Sequence, residues 1–554
     1  MFASTTRFYY IYNLWPASGK PLKTNDMKYL CLLFVSVFFL HPAFAQFKPI
    51  AESAPFDEPE AGHAKLVLLH SGYSAFLFFN PKEGISLKLY DGQYHLHAEK
   101  EINSKFSDSK YKSIEAVFEI NGDLILFISQ ADEKRPVLYR MIIDGKSGNL
   151  KSEEKIAELN KTGHYKAIRL AFRGQQYPDF YIRKDPSGDH YAVAKFNNFD
   201  EDPNRRLEII FYGADNKETA RAFYHSPEDR YENLRYIDMV VIGDQKVSVL
   251  AYAYNKVKRD QDGELVIASL DAGSHDISLH ELDFSKELIV DGGITRYNPI
   301  SQNIILLAAC RSEKKSNEYG TVLAFVNPFE QRVTNAFPVY PERADAKSTE
   351  LFGRKNHYTG MPQNMFVDHD GSFSIVFEEI TGYSSSSGGS YSELGHLAVM
   401  QFNPNGKETG SYFIPKNQLY YKYIVQSFYH SDREGSAVRL DVGNQYKSFA
   451  YLHGKYKSYI LFNDIEKNGE TVLKGKITRI MGVGECDGFY FQLGGDEVLL
   501  PRQYVFGKPD RGRDHNLAIF TLSDYDRDRN IYCVLKLEKS GRSKQVKLVW
   551  LEPQ

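Results

Sequence analysis

Short runs of alternating apolar and polar residues, each closed by a pair such as Asn-Gly, Asp-Gly or Gly-Asp, recur along most of the chain. A period of two puts the apolar side chains on one face of an extended strand, and the glycine pairs tolerate the positive φ of a tight hairpin. From Ala116 to Leu159 the pattern predicts strands over Ala116 to Ile120, Asp123 to Ser129 and Val137 to Ile143, turned at Asn121-Gly122 and Asp144-Gly145, then a fourth extended stretch. The same four-strand order returns over Leu234 to Leu282 and Gly293 to Val339. Weaker copies cover Ile85 to Glu99, Phe373 to Ile414 and Leu517 to Leu551.

Loops between second and third strands are expected at eight places: 80–84, 130–136, 198–206, 255–264, 311–320, 381–394, 463–470 and 523–530. Four-stranded units at such spacing, without long amphipathic helices between them, predict an all-β chain arranged as a β-propeller of seven or eight antiparallel blades. A smaller propeller with a β-sandwich is the alternative, because residues 420–500 offer more strands than one blade needs: Tyr423 to Tyr429, Ala437 to Val442, Phe449 to Leu452, Tyr459 to Phe462 and Phe489 to Leu493. No linker rich in Pro, Gly or charge interrupts residues 46–554, which favours one domain. In such blades the short glycine turns share one rim and the long polar loops share the other, and length and polarity on one face mark where a scaffold carries function.

Composition agrees with this reading. Tyr 38, Phe 37 and Trp 2 among 554 residues suit half-buried pleated sheet. The formal charge is −3, and it becomes −6 when residues 1–45, with four Lys or Arg and one acid, are set aside. A basic-groove nucleic-acid binder is excluded on that balance. Met27-Lys28, the apolar run Tyr29 to Leu40 and the small residues Ala43 and Ala45 form a secretory signal with a cut before Gln46, so Met27 reads as the true start. The run is shorter than the roughly 20 apolar residues a bilayer span needs, so no transmembrane segment is expected in the mature chain. Cys310, Cys486 and Cys533 remain after the cut, an odd number without a C-x-x-C, and read as small buried residues.

Candidate chemistry is sparse. Asp524, Asp526 and Asp528 alternate in Ser523 to Asn530 as carboxylates of a calcium loop do, but Arg529 stands where the loop needs glycine and Leu535 where it needs an acid. They are the one metal candidate, for calcium, and no other cofactor is expected. His95 and His97 share a strand face that solvation explains as well as a metal. Gly482 to Gly488 lacks the glycine spacing of a phosphate loop, Glu378-Glu379 has no readable partner, and Ser384 to Gly389 is a low-complexity stretch within an expected flexible loop. There is no G-x-S-x-G, and no catalytic residue is assigned.

Three phrases carry a resemblance: Leu461-Phe462-Asn463-Asp464-Ile465-Glu466-Lys467-Asn468, Phe413-Ile414-Pro415-Lys416-Asn417-Gln418 and the cut at Ala45/Gln46. With them the chain resembles uncharacterised exported β-propeller-like proteins of Gram-negative bacteria, over most of residues 46–554. The resemblance implies a propeller-like fold and a periplasmic or surface location, and no catalytic residue. The expected function is binding or scaffolding, the long-loop face recognising an envelope protein or a glycan. A glycan-active or peptide-active hydrolase or lyase is the alternative.

Overall fold

The computed structural model describes residues 47–59, 61–80, 84–103, 112–132, 135–160, 176–226, 230–255, 263–286, 288–312, 315–353, 357–384, 389–430, 435–441, 443–494 and 500–554. The signal region 1–45, with Met27 and Ala45, lies outside them, as do parts of the loops expected over 80–84, 130–136, 255–264, 311–320 and 381–394. Eight antiparallel sheets follow one another, seven built on four consecutive strands and the eighth on three consecutive strands plus one from the other end of the chain; two of the eight carry a fifth strand. Blade 1 spans 61–102, blade 2 112–158, blade 3 179–223, blade 4 233–281, blade 5 288–338, blade 6 360–414 and blade 7 450–504. Blade 8 takes three strands from 514–553 and its outermost strand, Phe47–Glu52, from the other end of the chain.

Alternation explains how these sheets pack. The second strand of blade 4, Lys246–Tyr254, is buried at all nine positions. Val247, Val249, Ala251 and Ala253 point into the core shared with blade 3, while Leu250, Tyr252 and Tyr254 point into the core shared with blade 5. A sheet covered on both faces reads as a continuous apolar run for this reason. Eight apolar clusters result, one at each interface between neighbouring blades, including that between blades 8 and 1. The ring is therefore an eight-bladed β-propeller, and the sandwich alternative is not what the chain forms.

The extra strands of 420–500 have another explanation. Tyr423 to Tyr429 is not a strand, and Val438–Asp441 joins the inner edge of blade 1 by pairing with Ala61 to Ala64. Between them Phe428 donates its N–H to the Pro362 carbonyl of blade 6, its ring packs on Gly292 of blade 5, and Gly435 accepts from the Val117 N–H of blade 2. Blades 5 and 6 face blades 1 and 2 across a ring of eight. The connection from blade 6 to blade 7 is thus a strap across the centre of the ring.

Other expectations change as well. The loops expected over 130–136, 311–320 and 381–394 are mostly strand: Asp123–Asp132 pairs with Arg135–Asp144, Asn303–Ser312 with Lys315–Asn327, and Phe373–Ser384 with Ser390–Phe402. The loop expected over 463–470 extends through residue 486 and contains the short helix Glu466–Thr471. In blade 8, residues 527–530 turn from first to second strand, so 523–530 belongs to the short-turn rim, and the loop from second to third strand is only residues 541–542. The shift arises because blade 8 borrows its last strand from residues 47–52, which moves every role forward by one.

Candidate functional site

Among the described residues, three long connections gather around blades 5 to 7 on the rim opposite the short turns. They are the crossing with helix α1 (Glu342–Phe352), the strap over 415–449 and the loop over 465–486, which opens with helix α2 (Glu466–Thr471). Two of the phrases noted in the sequence meet there. Gln418 donates to the Asn463 carbonyl at 2.8 Å, and the Asn463 amide donates to the carbonyls of Tyr446 in the strap and Ala518 in blade 8. Asn463 also accepts the Ala518 N–H, so one buried side chain ties strap, blade 7 and blade 8 together.

Asn468 holds the loop's shape in the same way. Its amide donates to Asp464 at 2.7 Å and to the Thr478 carbonyl at 3.0 Å, and its oxygen accepts the Thr478 N–H. Arg502, on the outermost strand of blade 7 (Arg502–Tyr504), donates to Asp464 at 2.5 Å and to the Ile465 carbonyl, and lies 4.1 Å over the Phe489 ring. Burial raises the Asp464 pKa, and the Arg502 guanidinium opposes that rise. A methyl group on Gly469 would stand 2.7 Å from Arg502 Nε, so the helix needs glycine where it crosses this fixed side chain.

Between this loop and the outer strands of blade 7 lies a pocket of about 510 Å³. Val472, Leu473, Ile477, Leu500, Pro501 and Pro415 give it aliphatic walls, and Glu466 and Glu470 stand at its rim. Leu473 is 70% exposed. Lys508 holds the Glu466 carboxyl below its ordinary pKa, while no ion pair engages Glu470 among the described residues. On the other side of the loop a second hollow of about 600 Å³ is lined by Phe352, His396, Asn417 and Thr471. His396 stacks on Phe352 at 4.6 Å and accepts the Lys416 N–H. The apolar walls were not legible as a site, because the loop has neither a period nor a motif.

The residues singled out in the sequence lie elsewhere. Asp524 accepts the Leu68 N–H at 2.7 Å, Asp526 pairs with Arg529 at 2.6 Å, and Asp528 is exposed in the turn. Two of the three carboxylates are thus engaged within the protein, and among the described residues no group of three or more His, Cys, Asp or Glu is placed to hold a metal. His95 and His97 are solvated, His97 edge-on to Tyr73. Gly482 to Gly488 runs from the end of the 465–486 loop into the strand Asp487–Leu493, where Asp487 accepts the Asn516 N–H. The three cysteines are buried and free, and burial pushes the Cys310 thiol up to about 12. Glu378 lies fully buried, paired with Lys416 and accepting the Tyr429 hydroxyl of the strap at 2.7 Å.

Among the described residues no helix is long and apolar enough to cross a membrane. No protein-family model matches the chain, and no curated protein matches it. Similar solved structures include polysaccharide lyase Uly1, at 9% identity and a TM-score of 0.36, covering 92% of this chain and 100% of that one. The β-propeller domain of the Trilobed protease from Pyrococcus furiosus is 10% identical with a TM-score of 0.35, covering 80% and 94%. Quinohemoprotein alcohol dehydrogenase from Comamonas testosteroni is 9% identical with a TM-score of 0.34, covering 76% and 71%. These values bear on neither the ligand nor the chemistry of this chain.

Proposed function

We propose that this chain is an exported binding propeller whose long-connection rim takes up a segment of a partner protein, an apolar side chain entering the pocket between loop 465–486 and blade 7. The observation that carries the reading is the aliphatic pocket of about 510 Å³ with an acidic rim. That volume lies within the range of ligand sites, and an apolar slot with few polar groups at its mouth suits a peptide anchor. Of the rings at the pocket, Phe489 lies under Arg502, Phe491 is 4% exposed and Tyr504 packs against Phe489 at 4.5 Å, so an aliphatic anchor suits the walls better than a stacked sugar. Glu466 and Glu470 favour basic residues beside the anchor. Export follows from the signal region, with the chain processed after Ala45.

The test is fluorescence polarisation with labelled peptides carrying a central Leu or Phe flanked either by Lys and Arg or by Asp and Glu. Basic-flanked peptides are expected to bind, Leu473→Glu to weaken them at least tenfold, and Glu470→Lys to reverse the flank preference. Leu473 is exposed, so its variant folds. Equal affinity for both peptide sets, or binding that ignores Leu473→Glu, would sink the reading.

A further inference from the structure

Helix α2 divides the long-connection rim into two sides of opposite charge. Residues four apart on a helix share a face, and neighbours in sequence point roughly 100° apart. Glu466 and Glu470 stand on the face toward the blade 7 pocket, and Lys467 and Thr471 stand on the face toward the second hollow. The loop then turns through the left-handed residue Gly475, and Lys476 and Ile477 line the same hollow. Phe352 of α1 and His396 of blade 6 line it as well.

The charge on this side is unbalanced. No Asp or Glu lines the hollow, and neither Lys467 nor Lys476 makes an ion pair among the described residues. Acids on the neighbouring elements are engaged elsewhere: Glu393 of blade 6 holds Arg479 at 2.6 Å and Asn417 at 2.8 Å, and Glu350 of α1 holds Lys347 at 2.8 Å. His396 is 3% exposed, and its Nδ1 accepts the Lys416 N–H at 3.2 Å. A neutral ring that accepts at Nδ1 carries its proton on Nε2, where it can only donate. Two ammonium groups and one buried donor thus share a cavity of about 600 Å³.

We infer that this hollow is a binding site for an organic carboxylate, its anionic group held between Lys467 and Lys476 and its apolar body against Phe352 and Ile477. The volume is that of a small-molecule site, and a few placed polar groups over apolar walls is the form such sites take. Charge of one sign in a recess with low-dielectric walls concentrates ligands of the other sign. The aromatic wall is held in place, because Phe352 stacks on His396 with ring centroids 4.6 Å apart and meets the edge of Phe413 at 6.2 Å. The site stands apart from the peptide pocket, whose rim carries the opposite charge.

Calorimetric titration of the chain with hydrocinnamate is the test, with hydrocinnamide as the neutral control and acetate as the anion without a body. Hydrocinnamate is expected to bind and both controls to bind much more weakly. Lys467→Gln and Lys476→Gln are each expected to weaken it roughly 2–5-fold, the worth of one exposed ion pair. Added salt is expected to act in the same direction. Both lysines are exposed, so these variants fold, and Leu473→Glu in the other pocket is expected to change nothing. An acetylated peptide ending in Phe carries the same carboxylate and ring at a chain terminus. If it binds more tightly than hydrocinnamate the site takes a protein terminus, and if less tightly a free acid; either order supports the carboxylate site. No binding of hydrocinnamate, equal binding of the amide or of acetate, affinity unchanged in both lysine variants, or binding lost in Leu473→Glu overturns the inference.

Discussion

Lys416 is 1% exposed and Glu378 is fully buried, so each charge has given up its hydration for the other. Burial lowers the Lys416 pKa and the Glu378 charge opposes that fall. Tyr429 bonds the same carboxylate, and its hydroxyl sits 2.9 Å from Ser448 Oγ, so the network fastens the strap to blade 6. Removing one partner strands a buried charge, whereas replacing both leaves no buried charge. Lys416→Met is expected to cost about 3–5 kcal/mol in a urea melt, and adding Glu378→Gln to recover most of that loss. Equal losses in the single and double variants would show that the pair does not act as a unit. Glu378 was visible in the sequence as half of Glu378-Glu379, but its partner stands 38 residues on. Lys467 and His396 could not be read as a pair for a similar reason, since only the fold brings blade 6 and the 465–486 loop to one hollow.

At the scale of elements, the hairpins were legible because their signals are local. Asn121-Gly122 adopts positive φ at both residues, as the turn between adjacent strands of blade 2 requires. The loop 465–486 was only partly legible, since its shape comes from clips such as Asn468 and from docking on α1 rather than from a period. Gly475 makes that docking possible. It has φ +69°, and a methyl group there would lie 2.5 Å from the Leu351 carbonyl oxygen of α1. The left-handed backbone costs a non-glycine residue roughly 1–2 kcal/mol, and the clash adds to it. Gly475→Ala is expected to speed limited proteolysis within 465–486. Gly482→Ala, which meets nothing within 4 Å, is expected to leave the cleavage rate unchanged. Similar rates for both variants would remove α1 as the loop's anchor.

For the whole molecule, closure rests on Phe47–Glu52, which pairs with Ser543–Pro553 from the opposite end of the chain. Phe47 is 2% exposed, with its ring about 5 Å from those of Tyr459 and Tyr490, so this strand also seals the interface of blades 7 and 8. A cut after Ala45 would leave the closing strand one residue from the new N-terminus. Phe47→Ala is expected to destabilise by about 3–5 kcal/mol, read as a lower midpoint of chemical unfolding. An unchanged midpoint would mean that the ring does not depend on this strand.

Strand positions and their grouping in fours were determined by the sequence itself. Those features depend on alternation and turn residues only a few positions apart, so a local reading captures them. The blade count, the borrowed strand, the strap, the aliphatic pocket and the lysine-lined hollow were decided by tertiary structure. Each joins residues far apart in the chain, such as Ser53 and Leu548 at a separation of 495. Such contacts form only when all eight interfaces close together, and no short stretch of sequence records them.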